Sequence, residues 1–281
     1  MTIDYTGRVV LVTGATRGIG RALSLAFAAR GAAIVGTARN PEPAEAFAKE
    51  IAELGSTFTF VEADAGSFAD CKAVAASAVK HHGRIDVLIN NAGTSLPQVR
   101  IDLIEEDQWR SVAGPTLDGP LFMSRAVLPT MRAQGDGVII NVASGAGIQA
   151  LATMGAYGMA KAAAIQLARV IAVENAAFGV RANALIVGAV ATELSLASLV
   201  ARGQDMFGPD WTPTPPADDS AGSPMDSVMI PPEALADSVL MLCAPESREI
   251  NGAVIAIDRG FSAGAYNSAF VGLAAAGLLP G

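Results

Sequence analysis

Residues 8–20 read Arg8-Val9-Val10-Leu11-Val12-Thr13-Gly14-Ala15-Thr16-Arg17-Gly18-Ile19-Gly20. The run from Arg8 to Thr13 is aliphatic and β-branched with no polar alternation, which predicts a strand buried on both faces. Residues 21–30, RALSLAFAAR, then repeat their apolar members at helical spacing, so a helix follows almost at once. Between the two lies a glycine turn. Gly14 permits the tight turn, Gly18 lets the backbone approach a phosphate, and Gly20 allows the helix to pack closely. The opening turn of that helix offers unpaired N–H groups and partial positive charge to a pyrophosphate. Glycine trios are common, but one placed between a strand and a helix is a specific signal for dinucleotide binding, with Thr16 and Ile19 lining the turn.

Outward from this unit the pattern repeats. Residues 34–37, 58–62, 87–90, 137–142, 180–187 and 254–257 are further short apolar runs, and 42–54, 67–82, 102–133, 156–177 and 232–243 are helical candidates. Buried strands alternating with helices predict an α/β fold, a doubly wound parallel sheet with helices on both faces. No linker divides the chain before residue 190, so one domain is expected over residues 1–281. It has a glycine-rich half near 5–95 and a second half near 96–262, followed by an apolar tail at 263–281. From Phe207 to Pro232 seven prolines and the pair Asp218-Asp219 interrupt the pattern. A loop of that length predicts a lid, spanning about 190–232.

Composition narrows the function classes. The 281 residues are 51% hydrophobic and 16% charged, enough apolar material for a large core, with a net charge of −8. An acidic chain is a poor match for nucleic acid or an anionic membrane. Cys71 and Cys243 stand far apart, which predicts neither a disulfide framework nor a zinc site and suits a reducing compartment. His81 and His82 lack partners at ligand spacing, so no metal is expected. Residues 1–5 have no basic region ahead of an apolar one, and residues 270–279 are too short to span a bilayer, so a soluble cytoplasmic protein is expected.

Two further clusters carry chemistry. At the end of the second strand, Gly36-Thr37-Ala38-Arg39-Asn40 has alanine where a ribose-binding acid is expected, followed by Arg39. Arg39 and Arg17 together suit a 2′-phosphate, which makes NADP(H) the expected cofactor. Tyr157 and Lys161 lie four residues apart at the start of a helix and share one face. A tyrosine hydroxyl titrates near pH 10 unaided, and a neighbouring ammonium is expected to draw it down. Ser144 ends a strand thirteen residues earlier, where open α/β sheets bind ligands, and can steady a substrate oxygen.

The segments TGATRGIG at 13–20, Asp64, NNAG at 90–93, Ser144, YGMAK at 157–161 and Asn251-Gly252 resemble, in combination, the short-chain dehydrogenase/reductase family over about residues 5–262. The resemblance implies a Rossmann-type sheet of seven strands and hydride transfer at a nicotinamide. It implies Tyr157 as acid–base, Ser144 as the oxygen-holding hydroxyl, and Lys161 as ribose ligand and tuner of Tyr157. Asp64 is implied at the adenine, Asn91 along the adenosine side with Gly93 beside it, and Val190 and Thr192 at the carboxamide. Three positions depart from the family pattern. Thr116 stands where the family has a catalytic asparagine, with Pro115 before it; Val187-Gly188 replaces Pro-Gly; and Asp258-Arg259-Gly260 replaces Asp-Gly-Gly. The first bears on a proton relay that the family routes past its asparagine.

Leu96, Ile148, Leu151, Met154, Leu194, Met206, Phe207 and Trp211 are expected on the substrate side, an apolar lining suited to a hydrophobic ketone or alcohol. The leading expectation is an NADP(H)-dependent oxidoreductase for such a substrate. A 3-oxoacyl-thioester reductase and an NAD-dependent alcohol dehydrogenase are alternatives within the family. A cofactor-binding sensor or scaffold with impaired turnover is the alternative of another class, motivated by Thr116. By family analogy a homotetramer or dimer is expected, with the apolar tail packed on a neighbouring subunit.

Overall fold

The computed structural model describes residues 3–94, 99–193, 195, 200, 208, 210, 230–260 and 262. Seven parallel strands form one sheet: β1 (Val9–Thr13), β2 (Ala33–Ala38), β3 (Phe58–Glu62), β4 (Val87–Asn90), β5 (Gly137–Ser144), β6 (Val180–Val187) and β7 (Val254–Ile257). Their order is β3-β2-β1-β4-β5-β6-β7, so the chain winds outward from β1 in one direction and then from β4 in the other. The described helices are α1 (Gly18–Ala28), α2 (Ala44–Glu53), α3 (Phe68–His82), α4 (Glu106–Ala113), α5 (Gly119–Gln134), α6 (Gly155–Asn175) and α7 (Pro232–Cys243).

Alternation along β1 shows how the sheet is covered. Val10 and Val12 pack with Leu23 and Phe27 of α1, Phe47 and Ile51 of α2, and Leu235 and Val239 of α7. Val9 and Leu11 face the other way, among Val74 of α3, Met123 and Val127 of α5, and Ile165 and Ile171 of α6. Covering both faces is what the unbroken apolar strands require. Tyr5 closes one end by giving its hydroxyl to the Leu240 carbonyl (2.6 Å) and packing edge-on to Phe27.

The expected helix over 102–133 is instead two helices joined by a π-turn at Gly114–Asp118. Prolines are the physical reason. Pro115 has no N–H for the Ser111 carbonyl, Pro120 has none for that of Thr116, and the Gly119 N–H reaches back five residues to Gly114. The stretch Gly155–Phe178 is long and apolar enough to cross a membrane, yet its inner face is spent on the sheet and it carries Tyr157 and Lys161.

Most of the expected lid, all of the tail beyond Ser262, and Leu96, Leu194, Met206, Phe207 and Trp211 lie outside the described residues. The two stems that flank those residues are described. Val190 and Ile230 form a parallel bridge, with the Ala191 N–H on the Ile230 carbonyl (3.0 Å) and the Ile230 N–H on that of Ala189 (2.8 Å).

At the opposite end of the sheet Asp86, 2% exposed, accepts from Arg8 Nη1 (2.8 Å), Arg84 Nε (2.9 Å) and the Val9 N–H (2.8 Å), tying the start of β1 to β4. Burial pushes this carboxyl up, but the bonds from Arg84, Val9 and Arg8 outweigh it and hold it below its ordinary value. Its stabilisation is therefore present above pH 4 and lost as the pH falls through the depressed value. Asp86→Asn should cost about 3 kcal/mol at pH 7. In urea unfolding at a series of pH values, the variant should also lose less stability than the parent below pH 4.

Candidate active site

Where the winding reverses, between β1 and β4, the strand ends part and leave a cavity of 710 Å³. Open α/β sheets bind ligands at this crevice. Of the residues singled out in the sequence, Gly14, Thr16, Arg17, Gly18, Ile19, Arg39, Asp64, Asn91, Gly93, Ser144, Tyr157, Lys161, Val190 and Thr192 line it. Gly20 and Thr116 stand just behind the lining, and the described Leu151 and Met154 lie away from it. Leu151 is exposed and Met154 half-buried, beside the bridge from Met154 to Val99.

The glycine turn is built for close approach. Gly14 and Gly18 have φ of +67° and +53°, and a Cβ on Gly20 would stand 2.1 Å from the Gly14 carbonyl. The Gly14 N–H donates to the Thr37 carbonyl (2.7 Å), holding the turn against β2. Asn91 gives its amide to the carbonyls of Thr13 (2.9 Å) and Gly14 (3.3 Å), so it acts as a strut under the turn. Helix α1 begins with Arg17 in extended conformation, with no side-chain cap and no acid in its first turn. Its N-terminal charge is left uncompensated toward the cavity. Arg17 and Arg39 are both exposed at this end, and among the described residues neither pairs with a carboxylate. Asp64 accepts from the Gly66 N–H (2.9 Å) at the turn into α3. An open helix end, two arginines and a cradle that side chains would fill fit a dinucleotide.

At the other end Ser144 closes β5 and Tyr157 lies in the first turn of α6, the two hydroxyls hydrogen-bonded. Lys161, one turn on, is 5% exposed; its Nζ donates to the Val142 carbonyl (2.6 Å) and lies 5.6 Å from the Tyr157 ring centre. Burial lowers Lys161 to about 8. Burial also raises Tyr157 above its ordinary value, with the Ser144 hydrogen bond acting against it. This differs from the expected lowering by Lys161, because the ammonium points to Val142 rather than to the phenol oxygen.

Thr116 is fully buried, its Oγ1 accepting from the Thr94 N–H (3.2 Å) and donating to the Thr94 carbonyl (3.3 Å). A Cβ on Gly93 would meet both Thr116 Oγ1 (3.4 Å) and Lys161 Nζ (3.5 Å), so the two flank this glycine. The threonine hydroxyl thus anchors the main chain just after NNAG and has little left for a relay. The Thr116 carbonyl, which Pro120 cannot pair, is the polar group that the π-turn leaves without that helical donor.

Sequence reasoning missed the supports. Asn90 donates to Asn141 Oδ1 (2.8 Å) and Ser124 Oγ (3.1 Å), and Asn141 donates to the Ala164 carbonyl (2.9 Å). This buried network joins β4 and β5 to α5 and to α6, the helix that carries Tyr157 and Lys161. An asparagine inside an otherwise apolar strand was the available signal.

The sequence pattern of the family described as short chain dehydrogenase matches residues 8–199. A 3beta-hydroxysteroid dehydrogenase of Mediterraneibacter gnavus is 30% identical over 92% of this chain and 96% of its own. A gluconate 5-dehydrogenase of Burkholderia cenocepacia, solved with NADP and tartrate, superposes with a TM-score of 0.80 at 28% identity, covering 94% and 98% of the two chains. A 3-ketoacyl-(acyl-carrier-protein) reductase of Brucella melitensis, solved with NADH, does so at 0.79 and 26%, covering 92% and 100%. With the fold, the glycine turn and the Ser144–Tyr157–Lys161 group in place, this chain belongs to the short-chain dehydrogenase/reductase family of nicotinamide-dependent oxidoreductases.

Lys161→Met tests the buried ammonium. Unfolded lysine holds its proton to about 10.4, so between pH 8 and 10 the unfolded parent binds more protons and the folded parent gains stability. The melting temperature of the variant relative to the parent should therefore fall as the pH rises from 7 to 10. A pH-independent difference rejects the shift. Thr116→Val should lose the clamp on Thr94 and cost about 2 kcal/mol, whereas Thr116→Ser retains most stability in the same denaturation experiment.

Proposed function

We propose that this chain is an NADP(H)-dependent oxidoreductase that interconverts a hydrophobic ketone or aldehyde with its alcohol. The observation that carries the reading is one cavity with two unpaired arginines at one end and a Ser144–Tyr157–Lys161 group at the other. When bound, the nicotinamide supplies or accepts the hydride. The rest falls to side chains of this chain. Ser144 and Tyr157 hold the substrate oxygen with their hydroxyls. In the reductive direction Tyr157 gives its proton to that oxygen, and a phenol raised by burial is fully protonated for the task at pH 7. Lys161, charged below about pH 8, stabilises the phenolate then formed once its ammonium turns from the Val142 carbonyl toward the phenol oxygen.

Arg39 after Ala38, with Arg17 across the turn, supports NADP(H). The related complexes hold NADP in one case and NADH in the other, so an NAD-dependent enzyme is the second reading within the family. A hydrophobic substrate is supported by the apolar residues expected on that side and by the steroid-acting relative. The reductase of a carrier-bound 3-ketoacyl group among the related structures keeps a 3-oxoacyl thioester as an alternative substrate. The engagement of Thr116 with Thr94 keeps the sensor or scaffold reading in play as the alternative of another class.

Location in the cytoplasm and assembly into a homotetramer or dimer belong to the same reading. Leu121 on α5 and Met159, Val170 and Val173 on α6 are large apolar side chains left exposed, and a subunit contact there would cover them.

Oxidation of NADPH and of NADH by purified protein over a panel of hydrophobic ketones tests the proposal. Turnover should favour NADPH and fall by about 10²-fold or more in Tyr157→Phe. Ala38→Asp should weaken NADPH more than NADH, by repulsion of the 2′-phosphate. Tight NADPH binding without turnover on any ketone would favour the sensor reading.

A further inference from the structure

Gly66 and Gly114 meet where the turn from β3 into α3 lies against the π-turn between α4 and α5. Neither lines the cavity, and neither has a positive φ, so backbone conformation gives no reason for glycine at either position. Contact gives one at Gly66. A Cβ there would stand 3.0 Å from the Gly114 Cα and 3.1 Å from the Gly114 carbonyl carbon, which are main chain and cannot rotate away. The relation is one-sided, because a Cβ on Gly114 would lie 3.8 Å from the Gly66 Cα, an ordinary contact. At the far end of the π-turn, a Cβ on Gly119 would stand 3.1 Å from Ala65 Cβ. Residues 65–66 are therefore a seat on which both ends of the turn rest.

What the turn carries lies close to Lys161. Pro115 follows Gly114, and its ring fixes φ, so a displacement of Gly114 passes on to Thr116 instead of being absorbed between them. Thr116 is fully buried and holds Thr94 by two hydrogen bonds, of 3.2 Å and 3.3 Å. Gly93 and Thr94 line the cavity, and Thr116 Oγ1 and Lys161 Nζ flank Gly93. Close-packed interiors transmit such shifts because they leave no slack. The contacts thus run from Gly66 through Gly114 and Thr116 to the cavity wall beside Lys161.

We propose that Gly66 is a positioning residue for the end of the cavity that holds Ser144, Tyr157 and Lys161. Its missing side chain sets how closely the π-turn approaches the turn from β3 into α3. Through Thr116 it thereby sets where Gly93 and Thr94 stand relative to Lys161. The proposal rests on the reading above of Ser144, Tyr157 and Lys161 as the reacting group.

The test compares the parent with Gly66→Ala, Gly66→Val and Gly114→Ala. Hydrogen exchange of the ligand-free protein, followed by NMR, reads the Thr94 N–H that Thr116 holds. Titration calorimetry gives the affinity for the adenosine half alone, as adenosine 2′,5′-bisphosphate or AMP. Steady-state kinetics with the preferred nicotinamide cofactor and a hydrophobic ketone give kcat and KM. In Gly66→Ala the Thr94 amide should exchange about tenfold faster, with the amides of β1 and β4 protected as in the parent, and kcat should fall about tenfold. Affinity for the adenosine half should stay within about threefold of the parent. Gly66→Val should enlarge the effects on exchange and kcat, and Gly66→Ala carries the test if the valine variant does not fold. Gly114→Ala should match the parent throughout. Parental exchange or parental kcat in Gly66→Ala overturns the proposal, as does an equal effect in Gly114→Ala or a loss of adenosine affinity as large as the loss in kcat. A parent that turns over no ketone overturns the reading of the reacting group, and the exchange rates then decide alone whether Gly66 seats the turn.

Discussion

The molecule depends on how the ends of β1 and β4 are held apart and yet in register. These are the strands between which the sheet reverses its direction of winding, and the gap above them is the cavity. Thr13 spans that gap by accepting two N–H groups from the β4 end, while Asn91 returns two bonds to the β1 end. Each side chain supports the main chain of the other strand. The glycine turn therefore rests on polar contacts from Thr13, Asn91 and the Thr37 carbonyl. The two core clusters lie on opposite faces and cannot fix this line by themselves.

The end of the cavity at Ser144 and Tyr157 uses the same device one strand further on. Asn90, Asn141 and Ser124 replace what would ordinarily be aliphatic contacts with directional bonds, and the Ala164 carbonyl brings α6 into the set. Tyr157 and Lys161 are thus carried by a helix fastened to the sheet by hydrogen bonds, while Thr116 fastens the main chain at Thr94, beyond the end of β4. A buried lysine beside a half-buried tyrosine is costly for a fold to keep. Both persist within one helical turn, and their surroundings act on them in a consistent way, toward a phenol that keeps its proton and an ammonium near its titration point at neutral pH.

Much of this was legible in the sequence because it rests on local chemistry. Strands 58–62, 87–90, 180–187 and 254–257 and helix 232–243 coincide with the observed elements, since apolar runs flanked by turn residues have few other solutions. The cavity lining followed from motifs whose spacing is dictated by a phosphate and by one helical turn. The break between α4 and α5 was half visible. Pro115 announced a disturbance, but a π-turn requires Pro120 as well, five residues on. What could not be read were pairings between residues distant in sequence: Asn91 as a strut, Asn90 on Asn141, and Lys161 on a carbonyl nineteen residues back. Each is a choice of partner, and spacing along a chain does not encode partners.

The bridge between Val190 and Ile230 has an evolutionary corollary. The main chain leaves the sheet and rejoins it at one hydrogen-bonded point, close to Thr192 at the edge of the cavity. Because the cost of closing a loop grows only slowly with its length, whatever connects two such stems can be lengthened, shortened or exchanged while the strands stay in place. The fold thereby separates two inheritances. The glycine turn and the tyrosine helix are hydrogen-bonded to the sheet, so a change in either disturbs the strands, whereas a change between the stems does not.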